Sequence, residues 1–244
     1  MTRSPVNRKD PSGTRRLENR EIRRQRELIS AYTEAMAEVA VGNDPRRMEA
    51  LERLSGGLKD DLSQAADEYL RATSDATVSH TQRVLNNLHT GIQLGNVPIP
   101  EAEVEALRIN IRRQFALEGD TVLTTVTRVV TEGYQQGLGA DEMRRMITEE
   151  IPSMADRAER IVRTETMRIC DVVSKARYDA AGCDGYYSFP TDDDRLCANC
   201  ISYATGGSGT ELKVYGLDEP MALPWHPNCR CCRIPHFEGV ELTL

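Results

Sequence analysis

Two short clusters of cysteine and histidine near the C-terminal end are the part of this 244-residue chain best suited to chemistry. The first is the C-x2-C pair Cys197 and Cys200, and the second opens with the H-x2-C pair His226 and Cys229. Five of the seven cysteines lie in these two clusters. Each spacing is typical of a tight turn that presents two soft ligands to one tetrahedral metal ion.

The two clusters together predict a structural Zn²⁺ site, because zinc prefers thiolate and imidazole and its structural sites have four protein ligands. The predicted ligands are Cys197, Cys200, His226 and Cys229. Cys231 or Cys232 is an alternative fourth ligand, since Cys229 and Cys232 form a further C-x2-C pair. Disulfides or reduced buried thiols are the competing interpretation. The odd number of cysteines and the lack of a secretory segment argue against a disulfide framework.

A catalytic zinc is a second interpretation of the same residues. A catalytic ion keeps one position open for water, whereas four protein ligands leave none. Zinc deaminases combine an H-x-E motif with P-C-x-x-C. Here His236 and Glu238 form H-x-E, but they follow the C-x2-C pair, and Leu196 occupies the position of the proline. The pattern therefore favours a structural role and no enzymatic activity.

The composition is typical of a helix-rich protein with one modest core. Charged residues make up 28% and aromatic residues 5% of the chain. The net charge of -7 argues against a nucleic-acid binder that acts through bulk charge. No apolar run approaches the ~20 residues of a membrane-spanning helix, so we expect no membrane partner and no export.

The N-terminal end differs from the rest in charge. Residues 1–16 contain prolines and a glycine among basic side chains, which predicts a flexible basic arm. Residues 1–26 hold nine basic and three acidic side chains, a local charge of +6 that leaves -13 for the remainder. Such an arm suggests contact with DNA or an acidic partner surface, and a solvated tail is the alternative. The candidate residues are Arg3, Arg8, Lys9, Arg15, Arg16, Arg20, Arg23, Arg24 and Arg26.

Apolar residues at three- and four-residue steps predict that most of the chain is α-helical. Helices are expected at residues 17–41, from Pro45 onward, and at 58–89, 101–117, 119–136, 141–149 and 152–181. Gly56-Gly57 is expected to be a break or a kink, further breaks are expected at the glycine-rich turn at 137–139 and at Pro152, and residues 91–100 are expected to form a linker. Short strands are predicted beyond Gly182, at 186–189 and 231–237.

One acidic residue interrupts the apolar stripe of the last long helix. Glu165 lies four residues after Ile161 and four before Ile169. A carboxylate on a buried face needs a cationic or hydrogen-bonding partner, and Arg163 and Arg168 are nearby in sequence. We expect a structural buried ion pair, with a partner from another helix or a catalytic carboxylate as alternatives.

The order of features after residue 137 resembles the minor head protein, or head morphogenesis, family of tailed phages. An I-x-R-T-E motif occupies 161–165, a D-x-x-C-x-x-C segment occupies 194–200, and an H-P-N-C-R-C close occupies 226–231. The resemblance covers residues 137–237. The chain departs from the family in having Ala204-Thr205-Gly206 in place of Asp-Gly, Tyr186-Tyr187 in place of tryptophan, and the extra thiol of Cys232.

The resemblance completes the predicted organisation. The fold would be mainly α with a small C-terminal α+β zinc-stabilised module and an elongated helical N-terminal half. After the arm of residues 1–16 would come a variable helical region at 17–95 and the helical part of the minor head protein domain at 96–182. Residues 183–244 would form the small β-rich zinc-binding module, whose core is too small to fold without a metal.

The resemblance also implies a function. The protein would be a portal-associated minor capsid component that acts in head morphogenesis and virion assembly. Its partners would be the portal protein and the major capsid or scaffold protein, with packaged DNA as a further candidate. It would reside in the capsid interior of the virion, and in the host cytoplasm during assembly. The alternatives are a zinc-ribbon adaptor that binds nucleic acid and a zinc-dependent nucleic-acid enzyme.

Overall fold

A computed structural model describes residues 6–42, 44–193, 196–240 and 242. It confirms a mainly helical fold with four long helices and a small C-terminal strand region that contains the cysteine cluster. The elements are α1 (Arg15–Val41), α2 (Arg47–Asn87), α3 (Glu101–Gln135), α4 (Ala140–Ala180), β1 (Gly185–Phe189), α5 (Ala198–Thr205), β2 (Val214–Gly216) and β3 (Cys232–His236). Within the described residues, no helix combines the length and apolar character needed to cross a bilayer.

The chain divides into two compact units, and neither is continuous in sequence. The first unit comprises the described residues up to Glu18 together with Leu70–Leu107 and Arg163–Leu244, and it contains the sheet and the cysteine cluster. The second unit comprises Asn19–Tyr69 and Arg108–Val162. The predicted linker at residues 91–100 lies within the first unit, between α2 and α3.

Three of the predicted helix breaks are wrong. Helix α2 continues through Gly56-Gly57, α3 continues through residue 118, and α4 continues through Pro152. The two glycines at 57 and 119 are sites of close packing. A Cβ atom on Gly57 would lie 2.9 Å from the hydroxyl of Tyr32, and one on Gly119 would overlap the side chain of Lys59.

The second unit is held by an apolar core along its helices. Its buried side chains include Ile29, Met36, Leu58, Leu62, Ile111, Phe115, Val122, Met143 and Ile147. Ion pairs tie the surface of the same unit, since Arg108 and Arg112 both bind Asp67. These pairs are partly exposed, so most of the unit's stability comes from apolar burial.

The first unit contains a three-stranded antiparallel sheet of order β2-β1-β3. All five residues of β1 are buried, because this central strand packs within a core on both faces. That core includes Leu85 of α2, Leu88 just after the end of α2, Tyr178 of α4 and the metal-ligand candidate Cys229. The small strand region therefore shares one core with helical segments from elsewhere in the chain.

The prediction of a flexible arm is wrong for residues 6–14, which are packed within the first unit. Val6 is 2% exposed and belongs to the core of the strand region. The carbonyl of Arg8 accepts a hydrogen bond of 2.8 Å from the backbone of Asp192. Gly13 adopts φ +71°, and its missing Cβ leaves room for the ring of His80. The buried side chain of Val6 and the turn at Gly13 hold this segment in place despite its basic composition.

The candidate arm residues have several different environments. Arg3 lies outside the described residues, and Arg15 begins α1. Salt bridges join Arg8 to Asp192, Arg24 to Glu68 and Arg26 to Asp156 and Glu159. In contrast, Arg16, Arg20 and Arg23 are exposed along α1, and no described acidic residue forms a salt bridge with them.

Candidate metal centre

The first pair of ligand candidates lies at the start of α5. Cys197 is the N-cap residue of this helix, and its Sγ accepts a hydrogen bond of 3.4 Å from the backbone N–H of Cys200. The helix ends at Gly206, which adopts φ 60° as the C-cap. A cap on the first turn aims both sulfur atoms in the same direction. The two cysteines of the C-x2-C pair therefore lie at the N-terminus of a helix.

The second pair lies on a tight turn before β3. The N–H of Cys229 donates to the carbonyl of His226 at 3.0 Å, and Asn228 between them adopts the left-handed φ of 64°. The Nδ1 atom of His226 lies 2.8 Å from the carbonyl of Pro227. Because a carbonyl can only accept, Nδ1 carries the proton, and Nε2 keeps the lone pair that a metal would bind.

The two turns bring four ligand atoms together. The Nε2 atom of His226 lies 3.2 Å from Sγ of Cys197 and 3.1 Å from Sγ of Cys200. The Sγ atoms of Cys197 and Cys200 are 3.5 Å apart, and Sγ of Cys229 is 3.8 Å from Sγ of Cys200. Zn–S bonds of ~2.3 Å at tetrahedral angles require S···S separations of about 3.8 Å. The two S···S separations are close to this value, and the ligand atoms form two overlapping groups that share Cys200: Cys197, Cys200 and His226 in one, and Cys200, Cys229 and Cys231 in the other.

The two alternative fourth ligands differ in position. The Sγ atom of Cys231 lies within 4.8 Å of those of Cys200 and Cys229, so it belongs to the cluster. Its backbone N–H also donates to Sγ of Cys229 at 3.5 Å, a contact that stabilises negative charge on that sulfur. Within the described residues, Cys232 belongs to neither group of ligand atoms, and its buried thiol has a pKa raised well above the usual value by desolvation. Cys232 is therefore the weaker alternative.

The thiols of the cluster differ in the direction in which their pKa values are shifted. Hydrogen bonds from the thiols of Cys200 and Cys231 hold the pKa of Cys229 far below its usual range. The contact with Cys229 raises the pKa of Cys200 to about 12, and contacts with Cys200 and Cys229 raise the pKa of Cys231. The hydrogen bond from the backbone of Cys200 lowers the pKa of Cys197. A cation bound here would take over the stabilising role of the protons on the neighbouring thiols.

A buried network surrounds the second turn. The N–H of Asn228 donates to the hydroxyl of Thr164 on α4 at 3.2 Å. Glu18 of α1 forms salt bridges with Arg163 at 3.2 Å and with Arg230 at 3.4 Å. Arg230 follows the ligand Cys229 directly, and it also pairs with Asp193. Both arginines of the network therefore have carboxylate partners.

Two further contacts fix the strands beside the cluster. Arg233 of β3 binds both carboxylate oxygens of Asp171 on α4, at 2.7 and 3.1 Å, and donates to the carbonyl of Met221. Trp225, next to His226, donates to the hydroxyl of Ser188 and stacks on Tyr203 with ring centroids 4.3 Å apart. The segment that leads into the ligand turn is thus held at both of its ends.

The other candidate residues lie apart from the cluster. Glu165 is 1% exposed, and its carboxylate forms a salt bridge with Arg168 on the same helix. His236 accepts or donates a hydrogen bond of 2.8 Å with the hydroxyl of Tyr187, and neither His236 nor Glu238 belongs to the described groups of ligand atoms. The cavity bordered by Cys200, Asn228 and Arg230 measures about 10 Å³, which is room for one water.

Glu18 is a buried carboxylate beside the candidate site that the sequence pattern did not single out. Its spacing does contain a signal, because Glu18, Ile22, Gln25 and Ile29 fall on one face of α1 and all four are buried. A carboxylate on that face needs a cationic partner, which the structure identifies as Arg163 and Arg230.

The cysteine-rich cluster could hold a metal ion, because two separate turns bring soft ligand atoms together in two groups that share Cys200. The predicted ligands Cys197, Cys200 and His226 lie in one group, and the predicted ligand Cys229 lies in the other with Cys200 and Cys231. Comparisons of the chain with protein-family models, with curated proteins and with solved structures find no match.

Proposed function

We propose that this chain is a minor head protein of a tailed phage, a non-enzymatic component of head morphogenesis. The observation that supports the proposal most is that two parts of the family pattern contact each other. Thr164 of the I-x-R-T-E motif accepts a hydrogen bond from Asn228 of the H-P-N-C-R-C close. Arg163 of the first motif and Arg230 of the second both form a salt bridge with Glu18. These residues are more than sixty positions apart, so a chance co-occurrence of short motifs would not explain their contact.

The metal in this proposal is a structural Zn²⁺ bound by Cys197, Cys200, His226 and Cys229. The S···S separations of 3.5 and 3.8 Å from Cys200 to Cys197 and Cys229 support a shared metal ion, and the hydrogen bond from Cys231 N–H to Cys229 Sγ supports Cys229 as the fourth ligand. With four protein ligands the ion would contribute folding free energy to the small strand region and would have no open position for a reaction. The proposal therefore includes no catalytic step.

The partners in this proposal are the portal protein and the major capsid or scaffold protein, inside the capsid. The host cytoplasm would be the location during assembly. Packaged DNA is a further partner, and its contact would use the exposed side chains of Arg16, Arg20 and Arg23. The other described arginines of the basic region contribute less, because intramolecular contacts already neutralise Arg8, Arg24 and Arg26.

The test is the composition of purified particles from the host that carries the gene. Quantitative mass spectrometry of nuclease-treated, gradient-purified heads should find the chain at low copy together with the portal protein. Deletion of the gene should lower the yield or infectivity of the particles, and expression from a plasmid should restore it. A chain that is absent from particles and bound to nucleic acid in the host extract would instead identify the zinc-ribbon adaptor.

A further inference from the structure

We infer that Glu18 is a positioning residue of the metal centre, and that metal binding and docking of residues 6–18 stabilise each other. The inference depends on the proposed metal centre but not on the proposed role in a phage head. It concerns a residue about 180 positions upstream of the first ligand, in a region whose composition suggested an independent tail. All of the contacts involved lie within the first unit.

The charge network gives the first step. The side chain of Glu18 is 3% exposed, and those of Arg163 and Arg230 are 9% and 11% exposed. A buried guanidinium without a carboxylate nearby is strongly unfavourable, and Glu18 supplies a carboxylate to both arginines, with Asp193 as a second partner of Arg230. Because Arg230 is bonded to the ligand Cys229, the position of Glu18 constrains the backbone of the second ligand turn.

The N-terminal segment gives the second step, because it contacts the same turn through a short loop. The carbonyl of Arg8 accepts from the N–H of Asp192, and the hydroxyl of Thr191 donates to the carbonyl of Arg230 at 2.7 Å. The carbonyl of Pro11 is 2.7 Å from Nε2 of His80, which anchors the segment to α2. Two hydrogen bonds, made by the adjacent residues Thr191 and Asp192, thus link Arg8 to Arg230, the residue after Cys229.

Metal binding and docking of the N-terminal segment are thermodynamically linked through this turn. A metal ion would fix Cys229 and therefore the adjacent Arg230, which keeps Glu18, Thr191 and the N-terminal segment in their observed arrangement. If bound metal favours docking of the segment, the docked segment must raise metal affinity by the same factor. Groups that surround metal ligands commonly change metal affinity by about 10- to 100-fold when they are mutated. We expect an effect in that range for Glu18.

The experiment measures zinc affinity of the full-length chain by competition with a chromophoric chelator. Glu18→Gln should weaken zinc binding by about 10-fold or more, because it removes the carboxylate that Arg163 and Arg230 share. The matched control is Glu21→Gln on the same helix, a buried carboxylate that instead accepts a hydrogen bond from Gln25. The control should bind zinc like the wild-type chain.

A second variant keeps the test decisive if Glu18→Gln does not fold. Thr191→Val removes the hydrogen bond to the carbonyl of Arg230 while keeping the shape of the side chain and leaving Glu18 intact. It should weaken zinc binding in the same direction by a smaller factor. The reciprocal measurement is limited trypsin digestion of the wild-type chain, in which removal of zinc should accelerate cleavage after Arg8, Lys9, Arg15 and Arg16.

The outcomes separate the inference from the proposal on which it depends. If both variants bind zinc with unchanged affinity, and the rate of N-terminal cleavage is the same with and without zinc, the inference is overturned and the metal centre stands. A wild-type chain that binds no zinc would overturn the metal centre and the inference together. Weaker binding in both variants, with a normal Glu21→Gln control, would establish the coupling.

Discussion

The backbone N–H of Asn228 donates a hydrogen bond of 3.2 Å to the side-chain hydroxyl of Thr164. This contact joins the turn that bears His226 and Cys229 to the middle of α4. Asn228 adopts a left-handed backbone conformation, which Asn tolerates better than most residues. The long helix therefore serves as a rigid support for a ligand turn that has little secondary structure of its own.

The ligand assignment predicts different effects for replacements of neighbouring cysteines. The wild-type chain should contain about one zinc, and Cys229→Ser should lose it, because serine is a poor ligand for zinc in a thiolate site. Cys232→Ser should keep the metal, since Cys232 lies outside the described ligand groups. Elemental analysis of protein purified without chelators measures both.

Replacements of the other two predicted cysteine ligands should also affect stability. Cys197→Ser or Cys200→Ser should unfold the strand region before the long helices, because structural zinc contributes folding free energy directly. Thermal unfolding followed in the near-UV and far-UV would separate the two regions. The assignment fails if Cys232→Ser loses the metal while Cys229→Ser keeps it.

His80 predicts a pH dependence of the N-terminal segment. Desolvation by burial, together with the charge of Arg83, lowers the pKa of His80 below its ordinary value, although the carbonyl of Pro11 opposes the shift. The unfolded chain therefore binds a proton more readily than the folded chain does. The stability contribution of neutral His80 is present above the unfolded pKa of ~6.5 and is lost as pH falls through the lower folded pKa.

Acidification from pH 7 toward pH 5 should therefore loosen residues 6–14, which contact His80 through Pro11 and Gly13. Hydrogen exchange of this segment across the pH series, corrected for the intrinsic rates, measures the effect. His80→Gln cannot titrate, and its exchange should show no step in this range. An equal step in the variant would assign the pH dependence to another group.

Local spacing predicted a cysteine-rich cluster that could hold a metal ion, while long-range contacts decided what the sequence could not show. The C-x2-C and H-x2-C pairs depend on single turns, so their geometry follows from a few neighbouring residues. The helix break expected at Gly56-Gly57 does not occur, because Gly57 packs against Tyr32 of α1. Likewise, nothing near Val6 in sequence indicates that it enters the core of the strand region.

Glu165 should contribute to stability through its buried ion pair with Arg168. The carboxylate is 1% exposed, whereas the side chain of Arg168 is 40% exposed. Glu165→Ala would remove the buried partner, and breaking a buried pair costs ~3–5 kcal/mol of unfolding free energy. We expect the lower end of that range, because the guanidinium left behind can reach solvent.

Glu165→Gln should destabilise less than Glu165→Ala, since it keeps the volume and the hydrogen-bonding capacity of the side chain. Denaturant unfolding measures both variants. The surface pair of Glu142 and Arg145 offers a control, because Glu142→Ala removes an exposed carboxylate and should leave the unfolding midpoint unchanged. Equal midpoints for Glu165→Ala and the control would exclude a structural role for Glu165.

The exposed arginines of α1 predict a salt-dependent contact with duplex DNA. Arg16, Arg20 and Arg23 recur at steps of four and three residues, so they project from one side of the helix. Each phosphate that such a side chain neutralises lowers the slope of log K against log salt by about 0.9. Replacement of all three by Gln should reduce the magnitude of the slope by up to three such contributions. Fluorescence anisotropy of a labelled duplex across a salt series measures it.

The control for this contact is a triple replacement of Arg46, Arg53 and Arg113 by Gln, which changes the net charge equally at other exposed positions. If the control reduces the slope as much, the chain binds DNA through net charge alone. If the wild-type chain shows no binding to the duplex, the face is solvated or faces an acidic protein. In the latter case, capture of the portal or capsid protein by the wild-type chain should survive nuclease treatment and should be lost with the Arg16, Arg20 and Arg23 variant.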